Sequence, residues 1–390
     1  MVQKERGVDV VAIINPKCMS SDHFFGSKSK GVWKNGLLSE TFKKISLIEK
    51  EKWVIFDGPL DHRWIENLNC SIDFKQIFYF DSGEAVNFSH DTKIIFECSN
   101  LNNVTPATVS RSGVISVSDN CLPWTAILSR WFERLQKQAW IEGHDVLLKE
   151  LFEWLIPPLL DMLRKCKFAG KVIPKNLVQC SLDLFERILT DALPNLKERK
   201  YLRGWIQAAV VFSSIWSIGG CLLDEVNRIK FDNGVREVIF GKNQSYPLPP
   251  SLNGKFDALP PVEGVIFDFV FDFKARGQWK HWNDIIKNME IKEVYDVSGL
   301  MVPTIDSARY SNILELLLKM GKPFMLIGPR GTGKSTYISN VLKNELNKDT
   351  YDSNILNFTP NITPEFVYNN FVSCLKKTKQ QHFECIHYEK

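Results

Sequence analysis

The sequence lacks the features that mark disulfide-rich, zinc-binding or secreted proteins. Its nine cysteines are scattered, and no two of them form a C-x-x-C pair. This spacing argues against a disulfide framework and a structural zinc site, and it is typical of reduced thiols in the cytosol. Residues 1–6 are polar, and the short apolar run behind them contains Asp9, so we expect no secretory signal and no targeting segment.

The chain also has little net charge and no uninterrupted apolar run of membrane length. A formal charge of +4, from 49 basic and 45 acidic residues, is mild, and the basic clusters are short. We therefore expect a solvated surface and no nucleic-acid partner. The stretch from Trp205 to Leu223 approaches membrane length, but it contains Gln207 and the Gly219-Gly220 pair. It is predicted to be a buried helix, and we expect no membrane partner.

The N-terminal part of the chain has the pattern of an α/β domain. With 390 residues, of which 44% are hydrophobic, the chain is long enough for two or three domains with cores of their own. Short apolar runs at 8–14, 53–56 and 94–96 each end in polar or turn residues. Parallel strands have this pattern when their C-terminal ends carry a site, so we predict three strands there.

The middle of the chain has helical spacing. From Trp124 to about Asp232 the apolar residues recur at three and four positions, which predicts an all-helical block. Pro157-Pro158 is expected to end or kink its first long helix, because proline removes an N–H and clashes with the preceding turn. The segment 246–261 has five prolines in sixteen residues and no periodicity. It is predicted to be a linker or an extended crossing segment.

A second α/β unit is predicted from residue 262 onward. The alternating phenylalanines at 267–273 are typical of a strand with one packed face, although an aromatic binding platform is the alternative. A helix is expected at about 307–320 and another at 364–377. Apolar runs at 324–327 and 355–358 are predicted to be strands.

The most specific motif of the chain is the loop Gly328-Pro329-Arg330-Gly331-Thr332-Gly333-Lys334-Ser335, which matches G-x-x-x-x-G-K-[ST] at every specified position. The predicted strand before it and the helical spacing from Thr336 onward disfavour the alternative of an ordinary glycine turn. Such a loop places backbone N–H groups around a phosphate at a helix N-terminus. Lys334 would reach the β- and γ-phosphates of a nucleotide, and the Ser335 hydroxyl would bind Mg²⁺.

The acidic residue that hydrolysis requires is missing after this loop. It usually ends an apolar strand, and only Trp53-Val54-Ile55-Phe56-Asp57 has that form. Because the acidic strand of a P-loop enzyme follows its own loop, Asp57 belongs to an earlier module. The acidic residues after Ser335 end no apolar strand. We therefore expect two half-modules, as a window cut from a tandem array would contain.

Eight stretches of the chain form a recognisable set: 14–17, 53–69 (WVIFDGPLDHRWIENLN), 82–84, 96–101, 105–114 (TPATVSRSGV), 215–220 (IWSIGG), 302–310 (VPTIDSARY) and the loop 328–335. Together they resemble the motor region of dynein heavy chains, covering most of the second AAA+ module and the start of the third. The resemblance runs from about residue 8 to about residue 377, and the forms FDGP and PATVSR are similar to those of the axonemal branch.

The resemblance implies an α/β fold of P-loop NTPase (AAA+) subdomains with an intervening all-helical lid, incomplete at both ends. It places the α/β part of the second module, without its phosphate loop, at 1–123 and the helical lid at 124–245. The proline-rich linker follows at 246–261. The start of the third module, with its phosphate loop, is expected at 262–390 and is expected to stop before its metal-binding acid.

The resemblance also assigns site residues. Asp57 takes the metal-acid position of the second module, and Gly58 stands where an active AAA+ ATPase has glutamate. Arg111 matches the arginine that is offered to the nucleotide of the preceding module; a surface arginine or a structural ion pair is the alternative. Val302 and Pro303 match the segment that runs past the adenine of the third module.

The sequence departs from the family pattern at three places. Asp73, Phe74 and Lys75 stand where the family usually has two acids and an asparagine, and Ser112 replaces the more familiar cysteine after the arginine. From about Thr378 the family pattern is lost. An alternative transcript or an incomplete gene product would each explain this ending.

For function, the resemblance implies a segment of an ATP-dependent, minus-end-directed microtubule motor, with ATP and Mg²⁺ as cofactors. The expected partners are the other AAA+ modules of the ring and, through the full-length parent, the intermediate and light chains and microtubules. The expected location is the cytoplasm and cytoskeleton, in the ciliary axoneme. Although the parent family is an ATPase, we expect the chain alone to be inactive in hydrolysis.

Two other functions remain open on the sequence alone. The chain could be a non-catalytic product that acts as an interaction or scaffold module in ciliary dynein complexes through its helical block. A free-standing P-loop kinase or GTPase is disfavoured, because some 320 residues before the loop match a different family.

Overall fold

The computed structural model describes residues 10–118, 121–135, 138, 140, 142–170, 172–252, 255–287, 302–379 and 382–385, with the backbone alone from 376 onward. The chain divides into two compact units, which are described separately. Unit 1 comprises Met1–Val117 and Ile355–Lys390, and unit 2 comprises Ser118–Asn354.

The strands and helices follow in chain order. The strands are β1 Val10–Ile14, β2 Gly26–Ser29, β3 Val32–Asn35, β4 Lys52–Asp57, β5 Ile77–Tyr79, β6 Ala85–Asn87, β7 Thr92–Glu97, β8 Phe269–Asp272, β9 Gln278–His281, β10 Leu375–Lys379 and β11 His382–Cys385. The helices are α1 Ser21–Phe24, α2 Leu37–Ser46, α3 His62–Ile65, α4 Asn69–Ile72, α5 Pro106–Ser110, α6 Trp124–Leu135, α7 Asp145–Arg164, α8 Pro174–Ala192, α9 Leu202–Ser214, α10 Glu225–Ile239, α11 Trp282–Ile286, α12 Ile305–Lys319, α13 Lys334–Asn340 and α14 Pro364–Ser373. Short 3-10 turns lie at 16–18, 66–68, 193–195, 199–201, 250–252 and 266–268, and π-helical segments lie at 215–219 and 341–345.

The sheet of unit 1 is parallel, with the strand order β1-β4-β7. Its central strand β4 buries Val54 and Phe56 completely, because alternate residues of a half-covered strand face the core. Phe56 stacks on Phe96 of β7, with ring centroids 5.4 Å apart. The three strands predicted at 8–14, 53–56 and 94–96 are confirmed, apart from residues 8 and 9, which lie outside the described part.

The core of unit 2 is a helical layer formed by α6 to α10. The segment predicted to be a buried helix is confirmed: α9 and the π-helical segment Ile215–Gly219 are buried almost throughout. Gly219 allows this packing, because a Cβ there would lie 2.8 Å from the rings of both Phe231 and Phe267. Among the described residues, no helix has the length and hydropathy needed to cross a membrane.

Of the two effects expected of Pro157-Pro158, ending or kinking the helix, the first is wrong: helix α7 does not end there. It continues for 20 residues, from Asp145 to Arg164, with both prolines inside it. The helix remains intact because the residues around the prolines, including Leu155 and Leu159, are fully buried in the core. Tertiary packing here outweighs the local cost of proline.

The proline-rich segment 246–261 packs against the lid helices in the part that is described. The indole Nε1 of Trp154 donates to the carbonyl of Tyr246 at 3.1 Å, and the amide N of Asp257 donates to Gln207 at 2.7 Å. Leu252 and Phe256 are buried. The domain boundaries themselves stay a prediction.

After this segment, the structure confirms the packed strand but not the two later strands. β8 pairs antiparallel with β9 and buries Phe269 and Phe271. Residues 324–327 and 355–358, by contrast, belong to no strand, and Met325 is 80% exposed. A strand needs the backbone groups of a neighbour, and no described strand supplies them to these residues. The predicted helices are present as α12 and α14, but the predicted end of α14 at residue 377 is wrong. The helix ends at Ser373, and residues 375–377 pair in the β10–β11 hairpin, which the sequence did not reveal.

Candidate functional site

The phosphate-binding motif of unit 2 forms a glycine turn directly before a helix. Gly331 and Gly333 both have φ values of +78°, a left-handed conformation that glycine adopts at low cost. Gly333 is the residue before α13, so the helix begins at Lys334. Ser335 and Thr336 are exposed in its first turn. The loop and helix start predicted from the sequence are therefore present, and the N-terminus of α13 adds partial positive charge.

Lys334 folds back over the loop. Its Nζ donates to the carbonyl of Gly328 at 2.9 Å, to the carbonyl of Pro329, and to Thr332 Oγ1 at 3.1 Å. The Thr332 hydroxyl in turn donates to the Pro329 carbonyl at 3.0 Å. The two carbonyls and the hydroxyl keep the ammonium charge next to the loop. A positive charge at this place would attract an anionic phosphate.

The predicted adenine segment lies at the start of α12, in the same unit as the loop. Val302 is exposed, and Pro303 leads into Thr304, whose hydroxyl accepts from the backbone N of Ser307 at 3.1 Å. The backbone N of Thr304 donates to Ser307 Oγ at 2.7 Å, which completes a capping box. The backbone that follows Val302 and Pro303 is thus fixed by the helix cap.

Tyr337 lies on α13 between the phosphate loop and helix α12. Its ring lies against Gly333, where a Cβ would be 3.1 Å from the ring atom Cζ, and beside the ring of Tyr310 on α12. Burial is the main cause that raises the pKa of Tyr337 above its ordinary value, followed by the nearby charge of Asp306. The phenol therefore stays protonated at neutral pH.

Helix α12 also contacts the lid near this point. The ring of Tyr310 lies 5.9 Å from that of Tyr337 and 6.5 Å from that of Trp216, and its hydroxyl accepts from Arg228 Nη2 at 3.0 Å. A cavity of about 560 Å³ opens beside it, lined by charged residues that include Arg228 and Arg309. The loop is therefore linked through two tyrosines to the π-helical segment of the lid.

Asp57 lies in unit 1, at the exposed C-terminal end of the central strand β4. This position is the one predicted for a metal-binding acid. Gly58 follows it, and a Cβ on Gly58 would lie 2.8 Å from Asn15 Oδ1. The Asn15 side chain thus occupies the space next to the position where a glutamate would be needed to polarise water.

Arg111 also lies in unit 1, just after the short helix α5. Its Nε donates to Asp73 Oδ2 at 3.3 Å, and its Nη1 donates to the carbonyl of Ala107 at 2.7 Å. The backbone N–H of Phe74 is the main cause that lowers the pKa of Asp73, and Arg111 adds to it. Arg111 therefore forms the structural ion pair that was the alternative interpretation. The role of Arg111 toward the nucleotide of another module stays a prediction.

The loop 328–336 and the segment 302–304 both belong to unit 2, and the helices that follow them, α13 and α12, pack against each other. Asp57 and Arg111 belong to unit 1. Within the described part of the chain, no group of three or more His, Cys, Asp or Glu side chains could hold a metal ion. The Ser335 hydroxyl suits Mg²⁺, which prefers oxygen ligands and usually takes several from substrate phosphates. Sequence reasoning missed Tyr337 and Asn15, because their contacts join distant positions.

Two protein-family models match the chain. One, described as "Dynein heavy chain AAA lid domain", matches residues 148–284. The other, described as "P-loop containing dynein motor region", matches residues 289–390. The matched ranges cover the helical block from residue 148 onward and the phosphate loop, so the α/β P-loop fold with a helical lid, predicted from the sequence, is confirmed.

Individual relatives cover almost the whole chain. Dynein axonemal heavy chain 12 of Rattus norvegicus is 34% identical over 382 residues, which is 95% of this chain and 12% of the rat protein. Dynein axonemal heavy chain 3 of Homo sapiens is 31% identical over 388 residues, which is 95% of this chain and 9% of the human protein. The chain thus spans no more than 12% of the length of these curated relatives. It belongs to the dynein heavy chain family, and its residues correspond to part of the AAA+ motor region.

Proposed function

We propose that this chain is an ATP-binding segment of an axonemal dynein motor, comprising most of the second AAA+ module and the start of the third. The observation that carries the proposal is the loop geometry: two left-handed glycines, an exposed Ser335 at a helix start, and the Lys334 ammonium held at the loop mouth. This arrangement is suited to a nucleoside triphosphate, because glycine loops of this motif bind phosphate through backbone N–H groups, a helix N-terminus and a lysine.

In this proposal each residue of the loop has a separate task. The backbone of 328–333 surrounds the phosphates, and Lys334 exchanges its loop carbonyls for the β- and γ-phosphate oxygens. Ser335 supplies a hydroxyl to Mg²⁺, and Thr336 continues the helix start. Val302 and Pro303 form the adenine side of the site. The bound Mg²⁺ would neutralise phosphate charge.

Hydrolysis by the isolated chain is not part of the proposal. Asp57 is assigned to the metal of the second module, and Gly58 has no side chain with which to orient water. Arg111 is assigned to the nucleotide of the preceding module, and in the structure it is paired with Asp73. Nucleotide hydrolysis needs a metal-binding acidic residue, a group that orients water and an arginine in one site. We therefore expect the 390-residue chain to bind ATP without hydrolysing it.

In the full-length parent, we propose that the segment contributes to ATP-dependent, minus-end-directed movement along microtubules in the ciliary axoneme. Its direct partners would be the neighbouring AAA+ modules of the ring. Intermediate chains, light chains and microtubules would be partners of the parent protein. The printed names of the relatives, which include axonemal and ciliary dynein chains, support this location.

The test is equilibrium binding of a fluorescent ATP analogue to the whole chain, with and without Mg²⁺. We expect saturable binding. Lys334→Ala should weaken it at least tenfold, because the variant loses the contact between the lysine and the terminal phosphates in the bound state. Lys343→Ala, an exposed lysine that follows α13, is the matched control and should bind as the parent does. Equal binding by Lys334→Ala, or magnesium-dependent turnover that Lys334→Ala abolishes, would overturn the proposal.

A second candidate is a non-catalytic interaction module in ciliary dynein complexes. Helix α14 favours it, because Phe366, Tyr368 and Phe371 are exposed on its surface by 53%, 66% and 64%. Exposed apolar patches often mark contact surfaces. Co-sedimentation of the chain with full-length dynein heavy chains, unaffected by ATP, would favour this function over nucleotide binding.

A further inference from the structure

A wide groove on unit 2 contains none of the residues assigned to the nucleotide, so ATP binding does not explain it. Three segments line it: the start of α9 with the turn before it, part of the proline-rich segment at 257–261, and the β8–β9 hairpin. Its volume of about 1100 Å³ is at the upper end of what a small-molecule pocket has. The groove is therefore large enough for several residues of a peptide.

The side chains that line the groove carry more positive than negative charge. The basic ones are Lys200, Arg203, Lys274 and Arg276, and the acidic ones are Asp257 and Asp272. Arg203 pairs with Asp257 at 2.7 Å, and Lys280, which lies outside the lining, pairs with Asp272 at 2.7 Å. Both carboxylates are thus neutralised, whereas Lys274 and Arg276 are exposed. The groove therefore attracts anionic groups.

Hydrogen bonds between the three segments hold the groove in shape. The indole Nε1 of Trp279, on β9, donates to the carbonyl of Ala258 at 2.9 Å and so fixes the hairpin to the proline-rich segment. The amide N of Asp257 donates to Gln207 Oε1 at 2.7 Å and so fixes the same segment to α9. A partner that binds here does not have to order the groove first, which favours binding.

The tip of the β8–β9 hairpin is fixed as well. The backbone N of Gly277 donates to the carbonyl of Lys274 at 2.8 Å, and Gly277 has a φ of +81°. A Cβ on Gly277 would lie 2.5 Å from the ring of Phe271 and 2.9 Å from Nε1 of the buried Trp205. Only glycine therefore fits this close approach to the core. Lys274 and Arg276 thus expose their charges from a turn of fixed shape.

We propose that this groove is a docking site for an acidic peptide segment of a partner protein. Lys274 and Arg276 pair with carboxylates of the peptide, and Lys200 adds a third exposed cation. Leu259, which is 41% exposed, and the half-buried Tyr201 offer apolar surface to the stems of the bound side chains. The inference goes beyond the proposed ATP binding and does not depend on it.

The two carboxylates in the lining favour a peptide over a nucleic acid. A nucleic acid carries a phosphate at every nucleotide, so some phosphates would lie beside Asp257 or Asp272. A peptide can place acidic residues next to Lys274 and Arg276 and uncharged residues next to the two carboxylates. Charges that match in this way determine which partner binds.

The test measures the binding of a labelled peptide, in which glutamate alternates with serine, to the whole chain by fluorescence anisotropy at low salt. The same peptide with glutamine in place of glutamate, and a single-stranded oligothymidylate, are the comparison ligands. We expect the glutamate peptide to bind, and its Kd to rise at least tenfold in the double variant Lys274→Glu, Arg276→Glu, because two attractions become repulsions. The double variant Lys343→Glu, Lys348→Glu makes the same change of net charge at exposed positions outside the groove, and its Kd should change less than about threefold.

Four results would overturn the inference: no binding of the glutamate peptide, equal binding of the glutamine peptide, equal weakening in the two double variants, or tighter binding of the oligothymidylate. If the groove variant lowered the folded fraction in circular dichroism, the milder variant Lys274→Ala, Arg276→Ala would test the same contacts, with an expected rise in Kd of about threefold. Lys334→Ala should leave peptide binding unchanged, and the groove variant should leave ATP binding unchanged. A failure of this inference can therefore be distinguished from a failure of the proposed function.

Discussion

The side-chain oxygen of Asn15 lies 2.8 Å from the point that a Cβ on Gly58 would occupy. The same oxygen accepts from the backbone N of Lys17 at 3.0 Å and so caps the short turn after β1. Any side chain at position 58 must therefore displace Asn15 or be displaced by it. The packing around Gly58 therefore fits a residue without a side chain and leaves no room for a glutamate in this conformation of Asn15.

We predict that Gly58→Ala lowers the free energy of unfolding of unit 1 by about 1 kcal/mol, because Asn15 must give up its capping bond. Chemical denaturation followed by tryptophan fluorescence measures this change. Gly113→Ala is the matched control: a Cβ there meets no atom within 4 Å, and we expect a change of less than about 0.5 kcal/mol. Equal stability of the two variants would refute the steric argument.

We predict that the carboxyl of Asp73 titrates below its ordinary pKa of 3.8, and that Arg111→Ala raises this pKa without restoring it fully. The reason is that the backbone N–H of Phe74 lowers the pKa more than Arg111 does. Because the folded pKa is depressed, the stabilising contribution is present above pH 3.8 and is lost as the pH falls through the folded value. Carboxyl-carbon NMR titration measures the shift.

Lys75→Ala serves as the control for Asp73, because Lys75 acts on the carboxylate only through space and is the smallest of the causes. Its removal should raise the pKa less than the removal of Arg111. A pKa that Arg111→Ala leaves unchanged would contradict the contact between the two side chains.

We predict that Asp232→Asn destabilises unit 2 by about 3 kcal/mol, because it leaves the guanidinium of Arg236 buried without its counter-ion. The two side chains are only 6% and 13% exposed, and their atoms lie 2.9 Å apart. Arg236 also donates to the carbonyls of Pro261 and Gly264, so the pair fastens the end of the proline-rich segment to α10. Urea denaturation of the variant checks the value.

Asp257→Asn provides a comparison with the same chemistry at the surface. Its partner Arg203 lies 2.7 Å away, but the side chains are 37% and 32% exposed, respectively. Solvent screening should limit its effect to less than about 1 kcal/mol. If the two substitutions cost the same, burial would not be the deciding factor.

The elements that the sequence predicted correctly are those whose pattern is complete within the element itself. β4 alternates buried and partly buried residues, and α8 and α9 carry continuous apolar faces, so the pattern within each element predicts its type. Residues 324–327 have an equally apolar composition, yet they form no strand, since pairing depends on a partner elsewhere in the chain. Pro157 and Pro158 do not end α7 for a similar reason, because the burial of the surrounding residues outweighs the local cost of proline.

In the candidate site, the sequence predicted the loop residues because the spacing of Gly328, Gly333 and Lys334 is itself the signal. It could not predict the contact of Tyr337 with Tyr310, which exists only because α12 and α13 pack together. The same holds for Asn15, whose contact with Gly58 joins the ends of two parallel strands. A contact between two elements can be predicted only once the fold is known, whereas a phosphate loop can be recognised from the local sequence.

The apolar segment before the phosphate loop has a practical consequence. Met325 and Ile327 expose their side chains to solvent, and residues 324–327 belong to no strand. Exposed apolar side chains favour association with other molecules. The solubility of the protein should therefore be limited by this segment, and Ile327→Lys should raise it.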